Sequence, residues 1–243
     1  MNKVYNIENL FEGNSYPGRG IILGCTKDNK SFIAYFIMGR SENSRNRIFK
    51  PIEGDIFTEP FVEDESMDKS LLIYRAVALL KAENDQNKQS LIVTNGNQTD
   101  TIYTFLRNGN SFQDALITRE YEPDEPNWTP RISGIVNFKN GDFDYSLSML
   151  RRPCGKEACK RVVYNISKRP GFAYCIHTYK SDSNPLQTYA LPPKLLELPE
   201  GDLDFISPLI WNNLDNENKI SLYTRITDPI DLSYSDRIWN KHR

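Results

Sequence analysis

The sequence predicts an α+β protein built on antiparallel sheets. Its apolar, β-rich runs occur in pairs that are separated by short turns, which is the pattern of β-hairpins. The segments with helical periodicity cluster between these hairpins and do not alternate with single strands, as they would around a parallel sheet. A chain of 243 residues with 39% hydrophobic and 12% aromatic residues is long enough to bury a core and fits one domain.

Two strands and a helix are predicted in the first third of the chain. Residues 19–25 (RGIILGC) and 31–38 (SFIAYFIM) flank the turn sequence TKDNK and so predict a hairpin. After a connection rich in Pro and Glu, the run 68–84 (DKSLLIYRAVALLKAEN) places apolar residues at helical spacing. It predicts a helix that Asp68 or Ser70 would cap.

The middle of the chain predicts a buried strand, two helices and another hairpin. The strand is SLIVT at 90–94, and the segment TDTIYTFLRNG is a helix ended by Gly109. Ser111 would cap the second, shorter helix. A hairpin is predicted over 131–150 around the turn KNGD. Two further strands are expected near 161–167 and 171–179, before a mixed closing region.

Composition and charge exclude several classes of protein. The formal net charge is -2, with 30 basic and 32 acidic residues, so no excess of positive charge indicates binding to nucleic acid or to a membrane surface. No apolar run approaches the roughly 18 residues of a membrane span. The start of the sequence, MNKVYNIENLFEGN, does not have the order of a secretory signal, so we expect a cytoplasmic protein.

The histidines and cysteines do not predict a metal site. Cys154 and Cys159 stand five apart and no second pair completes a tetrahedral set. The histidines are His177, in a strand-like run where a structural role is expected, and His242, near the end of the chain. We expect all four cysteines, which include Cys25 and Cys175, to be reduced thiols. No nucleotide-binding glycine motif is present, and no cofactor is predicted.

The first of three polar segments is GRSENSRNR at 39–47, with Arg40, Arg45 and Arg47. Polar surface loops are common, and a solvated loop is one interpretation. The alternative is anion recognition, because a guanidinium binds phosphate through two parallel donors and each charge-assisted bond contributes about 1.5–3 kcal/mol. Glu42 is the only acid between the arginines, so a bound dianion would relieve their mutual repulsion.

The second polar segment is TNGNQTDT at 94–101, at a predicted junction of strand, turn and helix. The unpaired N–H groups of a helix start can bind an anion or a dipole. Thr99 or Asp100 could equally be the N-cap of that helix, and both roles are compatible.

The third polar segment is EYEPDEPNWTPR at 120–131, and it carries four acids beside aromatic residues. Close carboxylates in such surroundings can have one pKa raised, and a carboxyl with a raised pKa can act as general acid or base near neutral pH. A solvated acidic loop is the alternative interpretation.

Taken in order, these segments resemble the archaeal-type IMP cyclohydrolase family, which closes FAICAR to give IMP. The likeness rests on GRSENSRNR, LLIYRAV, TNGNQTDTI, and YEPDE followed by TPRI, between residue 19 and about residue 145. It implies a four-layered αββα sandwich of antiparallel sheets, similar to the N-terminal nucleophile hydrolases but without their self-processing. It also implies a single domain over 1–243, with 1–18 and about 228–243 as peripheral additions, and a possible homo-oligomer.

The resemblance also implies roles for individual residues. Arg45 and Arg47 would hold the substrate phosphate, with Arg40 as a weaker third. Glu122 would be the general base and Tyr74 the proton donor, or these two roles could be exchanged. Asn95, together with Asn97, would polarise the reacting carbonyl or orient the carboxamide, and Arg131 would orient Glu122 or bind substrate. The remaining residues implied to bind substrate are Asn97, Thr99, Asp100 and Arg131. The reaction needs neither a metal nor a redox cofactor.

Two other interpretations stay open on the sequence. A protein on the same scaffold could bind purine nucleotides without catalysis. An autoprocessed amidohydrolase would need a cut at Gly24–Cys25 to free a nucleophilic amine, whereas the resemblance treats that strand as intact and Cys25 as a buried thiol.

Overall fold

A computed structural model describes residues 3–63, 73–83, 85–153 and 158–242 of the chain, and it shows two seven-stranded sheets. The first sheet has the order β1-β12-β11-β2-β3-β13-β14. Its strands are β1 (Val4–Tyr5), β2 (Arg19–Cys25), β3 (Ser31–Met38), β11 (Phe172–His177), β12 (Lys194–Glu197), β13 (Lys219–Thr227) and β14 (Tyr234–Asn240). Neighbouring strands are antiparallel except for β1 and β12.

The second sheet has the order β10-β9-β8-β7-β6-β5-β4 and is antiparallel throughout. Its strands are β4 (Ile48–Ile52), β5 (Asp55–Glu59), β6 (Tyr74–Ala82), β7 (Asp85–Thr94), β8 (Arg131–Lys139), β9 (Asp142–Arg151) and β10 (Lys160–Ile166). The predicted hairpins are confirmed as β2–β3 and β8–β9. Asn140 and Gly141 make the second turn with positive φ values of 54° and 75°, a conformation that Asn and Gly adopt readily.

Four short helices occur among the described residues: α1 (Glu42–Arg45), α2 (Gln98–Arg107), α3 (Phe112–Ile117) and α4 (Leu203–Asn213). The predicted helices α2 and α3 are confirmed, and Ser111 caps α3 by accepting a hydrogen bond from Asp114 N. The N-cap of α2 is Asn97, so the expectation that Thr99 or Asp100 caps that helix is wrong. The closing region contains α4, capped by Asp202, which the sequence analysis did not identify.

The helix predicted over 68–84 is wrong, because Tyr74–Ala82 is strand β6. The proposed caps Asp68 and Ser70 lie outside the described residues. Strand β6 pairs with both β5 and β7 inside the second sheet, and Ala76, Val77 and Ala78 are all buried. A strand covered on both faces is apolar on both faces, so it lacks the alternation that distinguishes a strand from a helix.

Three apolar clusters hold these elements together. The largest lies between the two sheets and includes Ile21, Tyr35, Val93 and Leu147. A second joins the outer face of the first sheet to α4, and a third joins the outer face of the second sheet to α2 and α3. The α+β class with mostly antiparallel sheets is therefore confirmed.

The two terminal segments contact the first sheet. Ile7, Leu10 and Phe11 are buried in its outer cluster, and β14 is one of its two edge strands. The assignment of 1–18 and about 228–243 as peripheral additions to one domain stays a prediction. Among the described residues, no helix is both long enough and apolar enough to cross a membrane.

Candidate active site

A buried polar cluster lies where several strands begin or end at one edge of the space between the sheets. Arg19 begins β2, Tyr74 begins β6 and Arg131 begins β8. Antiparallel pairing places strand starts beside strand ends, so the polar loops that follow β3 and β7 lie at this same edge. We call Arg19, Tyr35, Arg47, Tyr74, Glu122 and Arg131 the polar cluster.

Glu122 is the carboxylate of the polar cluster, and it is only 2% exposed. Its Oε2 lies 4.0 Å from Nη2 of Arg19, and its Oε1 lies 3.8 Å from Nη1 of Arg131. Burial raises the pKa of Glu122, while the charges of Arg19 and Arg131 oppose that rise. The environment therefore moves this carboxyl group toward a pKa at which it can exchange protons near neutral pH.

Two tyrosines form a hydrogen-bonded pair across the two sheets. The Oη atoms of Tyr35 on β3 and Tyr74 on β6 lie 2.7 Å apart, and both residues are buried. Burial raises the pKa of Tyr74, although the positive charges of Arg47 and Arg19 oppose it. Both phenols are thus protonated at neutral pH, and since one donates to the other, one hydroxyl proton of the pair is left for another acceptor.

The three arginines of the polar segment 39–47 lie in different environments. Arg47 is 1% exposed, and it donates from Nε to Ser44 O at 2.9 Å and from Nη2 to Met38 O at 3.1 Å. Its Nη1 is buried and has no hydrogen-bond partner in the described part of the chain. Burial, followed by the charge of Arg19, lowers the pKa of Arg47. Arg47 therefore faces the polar cluster with an unused donor.

The other two arginines of the segment lie outside the polar cluster. Arg45 donates from Nε to Gly39 O at 3.2 Å and contacts Asn218 Oδ1 at 3.5 Å. Arg40 pairs with Asp182 at 2.5 Å, and its guanidinium lies 5.0 Å from the centre of the Tyr16 ring. Of the two arginines between which the sequence could not choose, Arg47 is thus the one in the cluster.

Arg19 was missed by the sequence analysis. Its side chain is 13% exposed and contacts Glu122, while its Nε is buried without a hydrogen-bond partner among the described residues. A single arginine at the start of an apolar strand has no local signal. The sequence PGRG, with Arg19 between two glycines in front of the run IILGC, is the one feature that could have drawn attention to it.

The turn between β7 and α2 positions Arg131. Gln98 Oε1 accepts from Arg131 Nη1 at 2.7 Å, and Gln98 Nε2 donates to Asn95 Oδ1 at 3.0 Å. Asn95 also accepts from Ile132 N at 2.8 Å and donates to Pro130 O at 2.8 Å. The carboxamide of Asn95 is therefore bonded to protein groups that fix the start of β8.

The turn leaves no room for a side chain at Gly96. A Cβ atom there would lie 2.5 Å from Arg131 Nη1 and 3.2 Å from Glu122 Oε1. Thr99 is buried beside Gly96, and its hydroxyl lies 2.6 Å from that of Thr94. Thr99 therefore stabilises the turn, and this contact involves no residue of the polar cluster.

Asn97 and Asp100 do not join the polar cluster. Asn97 is exposed and accepts a hydrogen bond from Arg119. Asp100 lies on α2 and pairs with Arg75, whose Nη2 is 2.7 Å away. Arg75 follows Tyr74 in β6, so the two side chains leave the sheet on opposite faces, and Asp100 is on the outer one.

A second set of groups that the sequence analysis missed borders the cluster. The ring of Tyr16 stacks on that of Tyr179 with centroids 5.8 Å apart, and Tyr179 Oη lies 2.5 Å from the hydroxyl of Thr129. Thr129 N also donates to Asp124 Oδ1 at 2.6 Å. Burial raises the pKa of Tyr179 to about 12, although the charge of Arg19 opposes the rise. The rings of Tyr16 and Tyr179 therefore form an aromatic surface next to Arg19, and the Tyr179 hydroxyl is protonated at neutral pH.

Positive charge is in excess in the polar cluster, because three guanidiniums face the carboxylate of Glu122 and the more distant one of Asp124. Such a site favours an anionic ligand. A cavity of about 910 Å³ lies beside α2 on the second sheet, and no residue of the polar cluster lines it. In the same part of the chain, no three His, Cys, Asp or Glu side chains are grouped to hold a metal ion.

The cysteines lie away from this chemistry. Cys25 is fully buried at the end of β2, and burial raises the pKa of its thiol. Gly24 and Cys25 both pair with β3 and β11 in the interior of the first sheet, and Cys25 is buried as expected. Cys154 lies outside the described residues, and the other three cysteines are unpaired.

Known proteins share this sequence pattern. A family described as IMP cyclohydrolase-like protein matches residues 16–231. A protein named IMP cyclohydrolase from Methanosphaera stadtmanae is 30% identical over 132 residues, which cover 53% of this chain and 61% of that protein. Its namesake from Methanococcus maripaludis strain C5 is 32% identical over 62% of this chain and 79% of its own length. One from Methanococcus aeolicus is 24% identical over 68% and 74%, respectively.

Proposed function

The chain belongs to the IMP cyclohydrolase-like protein family, and we propose that it is an IMP cyclohydrolase, which closes FAICAR to IMP and water in purine biosynthesis. The observation that carries the proposal is the buried Glu122, placed among three guanidiniums and near a protonated tyrosine pair. The substrate is a phosphate monoester, and the excess of positive charge in the polar cluster matches it.

Ring closure joins the carboxamide nitrogen of the substrate to its formyl carbon. As the C–N bond forms, the formyl C=O bond opens to an oxyanion and the nitrogen loses a proton. The oxyanion then takes up two protons and leaves as water, while the formamide nitrogen loses its proton and forms a C=N bond to the former formyl carbon. An amide nitrogen is a poor nucleophile, so the protein must orient the groups, accept the proton and stabilise the oxyanion.

The residues of the polar cluster suit these three tasks. Glu122 accepts the proton from nitrogen, since its raised pKa makes it a stronger base than an exposed carboxylate. Tyr74 gives a proton to the leaving oxygen, and Tyr35 holds its hydroxyl. Arg47 holds the phosphate with its unused Nη1 donor. Arg131, which Gln98 fixes, orients Glu122.

The other implied residues take weaker places in the proposal. Asn95 and Thr99 act by shaping the turn, since their polar atoms are bonded within the protein. Arg45 and Arg40 lie outside the cluster, and a substrate role for them would need their present bonds to break. Asn97 and Asp100 would likewise have to exchange their arginine partners for substrate.

The proposal also includes the arrangement of the sheets and helices in layers. The two sheets enclose one apolar cluster, and helices pack on the outer face of each sheet. We infer the four-layered αββα arrangement of the N-terminal nucleophile hydrolases, without self-processing. The buried position of Cys25 inside a paired strand supports the second part. A cytoplasmic location and a homo-oligomer stay predictions.

The test is an ultraviolet assay of FAICAR cyclisation with the full-length protein. We expect IMP to form in buffer without added metal, and intact mass to be that of the uncut chain. Binding of IMP in calorimetry without any turnover would overturn the catalytic assignment and favour a nucleotide-binding protein. A mass that lacks the first 24 residues would instead indicate autoprocessing.

A further inference from the structure

Arg19 is the least anchored guanidinium of the polar cluster. Its closest acidic partner is Glu122 at 4.0 Å, which is too long for a hydrogen bond, and its Nε is buried without a partner among the described residues. Arg131, in contrast, donates to Gln98 at 2.7 Å, and Arg47 donates to two backbone carbonyls. A buried donor without an acceptor costs free energy, so Arg19 gains most from an incoming anionic oxygen.

Arg19 interacts with both the proposed general base and the proposed phosphate-binding arginine. Arg19 lies 4.0 Å from Glu122, and its charge also acts on Arg47 and Tyr74. Two guanidiniums that repel each other while each keeps an unused donor form a suitable pair of ligands for one phosphate. If the phosphate draws the Arg19 guanidinium toward Arg47, the same movement takes it away from Glu122.

We propose that Arg19 is a substrate-binding residue that leaves Glu122 for the phosphate of the bound nucleotide, and thereby makes Glu122 a stronger base only when substrate is present. This proposal rests on the proposed function. It goes beyond it because it couples phosphate recognition to proton transfer through a residue of β2. An empty site would keep Glu122 paired and weakly basic.

The direction of the effect follows from the charges that face Glu122. Arg19 from β2, Arg131 from β8 and Arg47 from the segment before β4 lower its pKa, while Asp124 from its own segment raises it. Removal of Arg19 from this set leaves Arg131 and Arg47 in place. The pKa of Glu122 then rises, and an opposite charge at this range changes a carboxyl pKa by about one unit or more.

The first test compares two pH profiles in wild type and Arg19→Gln. The acid limb of kcat/KM reports the free enzyme, and that of kcat reports the complex. We expect the wild-type kcat limb to lie about one pH unit above the kcat/KM limb. In Arg19→Gln the kcat/KM limb should rise to meet an unchanged kcat limb, and KM should increase. The proposal would be overturned if Arg19→Gln shifted the kcat and kcat/KM acid limbs by the same amount, or shifted neither of them. Ionisation of the substrate phosphate cancels because both proteins receive the same substrate.

A second arm identifies the anionic oxygen. With the dephosphorylated nucleoside of the substrate, nothing draws Arg19 from Glu122, so the wild-type kcat limb should fall to the position of the kcat/KM limb. A kcat limb that stays high with the nucleoside would mean that Arg19 moves to the oxygen at the reacting carbon. That result would overturn the phosphate assignment.

Proton uptake gives a readout that does not depend on turnover. When IMP binds, the rise in the pKa of Glu122 should make wild type take up more protons than Glu122→Gln, measured by calorimetry in buffers of different ionisation enthalpy. Arg19→Gln should take up no more protons than Glu122→Gln does. Arg19→Lys should keep part of the excess uptake seen in wild type, and the surface variant Arg237→Gln should keep all of it. Equal uptake in wild type and Glu122→Gln overturns the proposal even if Arg19→Gln does not fold. Uptake without FAICAR turnover would refute the proposed function and leave the Arg19 movement standing.

Discussion

Glu122 differs from the other acids of its segment because it alone is buried. Glu120 and Glu125 are exposed, and Asp124 is occupied by the backbone N–H of Thr129. The sequence analysis could select Glu122 only through the family resemblance, since four acids in twelve residues give no indication of which one turns inward. Burial depends on the N–H of Glu122 bonding to Thr129 O, a contact within the segment that composition does not encode.

Glu122→Gln should therefore lower kcat while substrate affinity changes little. Loss of a general base typically costs 10²- to 10⁴-fold in rate, whereas the amide keeps the size of the side chain. The measurement is kcat for FAICAR together with the dissociation constant of IMP. Glu120→Gln is the matched control, because the Glu120 carboxylate is exposed. Its ion-pair partner, Arg161 at 3.5 Å, does not belong to the polar cluster. Unchanged kcat in Glu122→Gln would remove the residue from the mechanism.

Arg47 and Arg45 can be separated by conservative substitution. Arg47→Lys keeps a positive charge but loses the second donor, so the dissociation constant of IMP should rise by about tenfold or more, the equivalent of one charge-assisted bond. Arg45→Lys should change it by less than about threefold, because Arg45 uses its donors on Gly39 and Asn218. Titration calorimetry checks both variants. A larger effect at Arg45 would mean that the segment rearranges when the nucleotide binds.

At the level of elements, the hairpins and helices α2 and α3 could be predicted, whereas the buried strand β6 and helix α4 could not. Turns such as Asn140-Gly141 and the cap at Ser111 are local signals, because the residues involved contact each other within a few positions. Strand β6 receives its identity from β5 and β7 on either side. Arg19 was missed for a related reason, since its partner Glu122 lies far along the chain.

The turn before α2 gives a prediction at this level. Gly96→Ala would place a Cβ atom 2.5 Å from Arg131 Nη1 and 2.8 Å from Gln98 Oε1, so it should displace Arg131 and lower kcat/KM by tenfold or more. Gly109→Ala is the contrasting variant, because Gly109 follows α2 with φ of 80° and touches no site residue. It should lower the thermal midpoint while activity at 25 °C is kept. Equal kcat/KM in Gly96→Ala and wild type would show that Arg131 can shift without loss.

For the whole molecule, the site depends on how the two sheets face each other. Arg19 and Tyr35 come from the first sheet, while Tyr74 and Arg131 come from the second. The sequence predicted the α+β class, since that follows from the order of hairpins and helices. Which strand ends meet at one edge follows from pairings such as β2 with β3 and β7 with β8 and from the packing between the sheets, and no single segment contains that information.

His177 makes the stability of the whole fold depend on pH. It is 1% exposed on β11, its ring lies 4.0 Å from that of Tyr189, and its Nδ1 must carry the proton because it donates to Tyr179 O at 2.9 Å. Burial, and then the charge of Lys194, lowers its pKa from 6.5 to about 3. Between these values the unfolded chain binds a proton that the folded protein does not, so stability falls as the pH drops.

This effect can be measured as a difference between two proteins. From pH 8 to pH 5, His177 should remove about 2 kcal/mol from the free energy of unfolding, because the unfolded imidazole protonates over that range. Urea unfolding of His177→Asn, whose amide can keep the bond to Tyr179 O, should show a fall that is smaller by this amount. His242→Asn, at the half-buried histidine near the end of the chain, is the comparison variant that separates the loss of the His177 imidazole from the loss of any histidine. The same fall in His177→Asn and wild type would mean that His177 takes up its proton in the folded protein, and that the first sheet opens around it at mildly acidic pH.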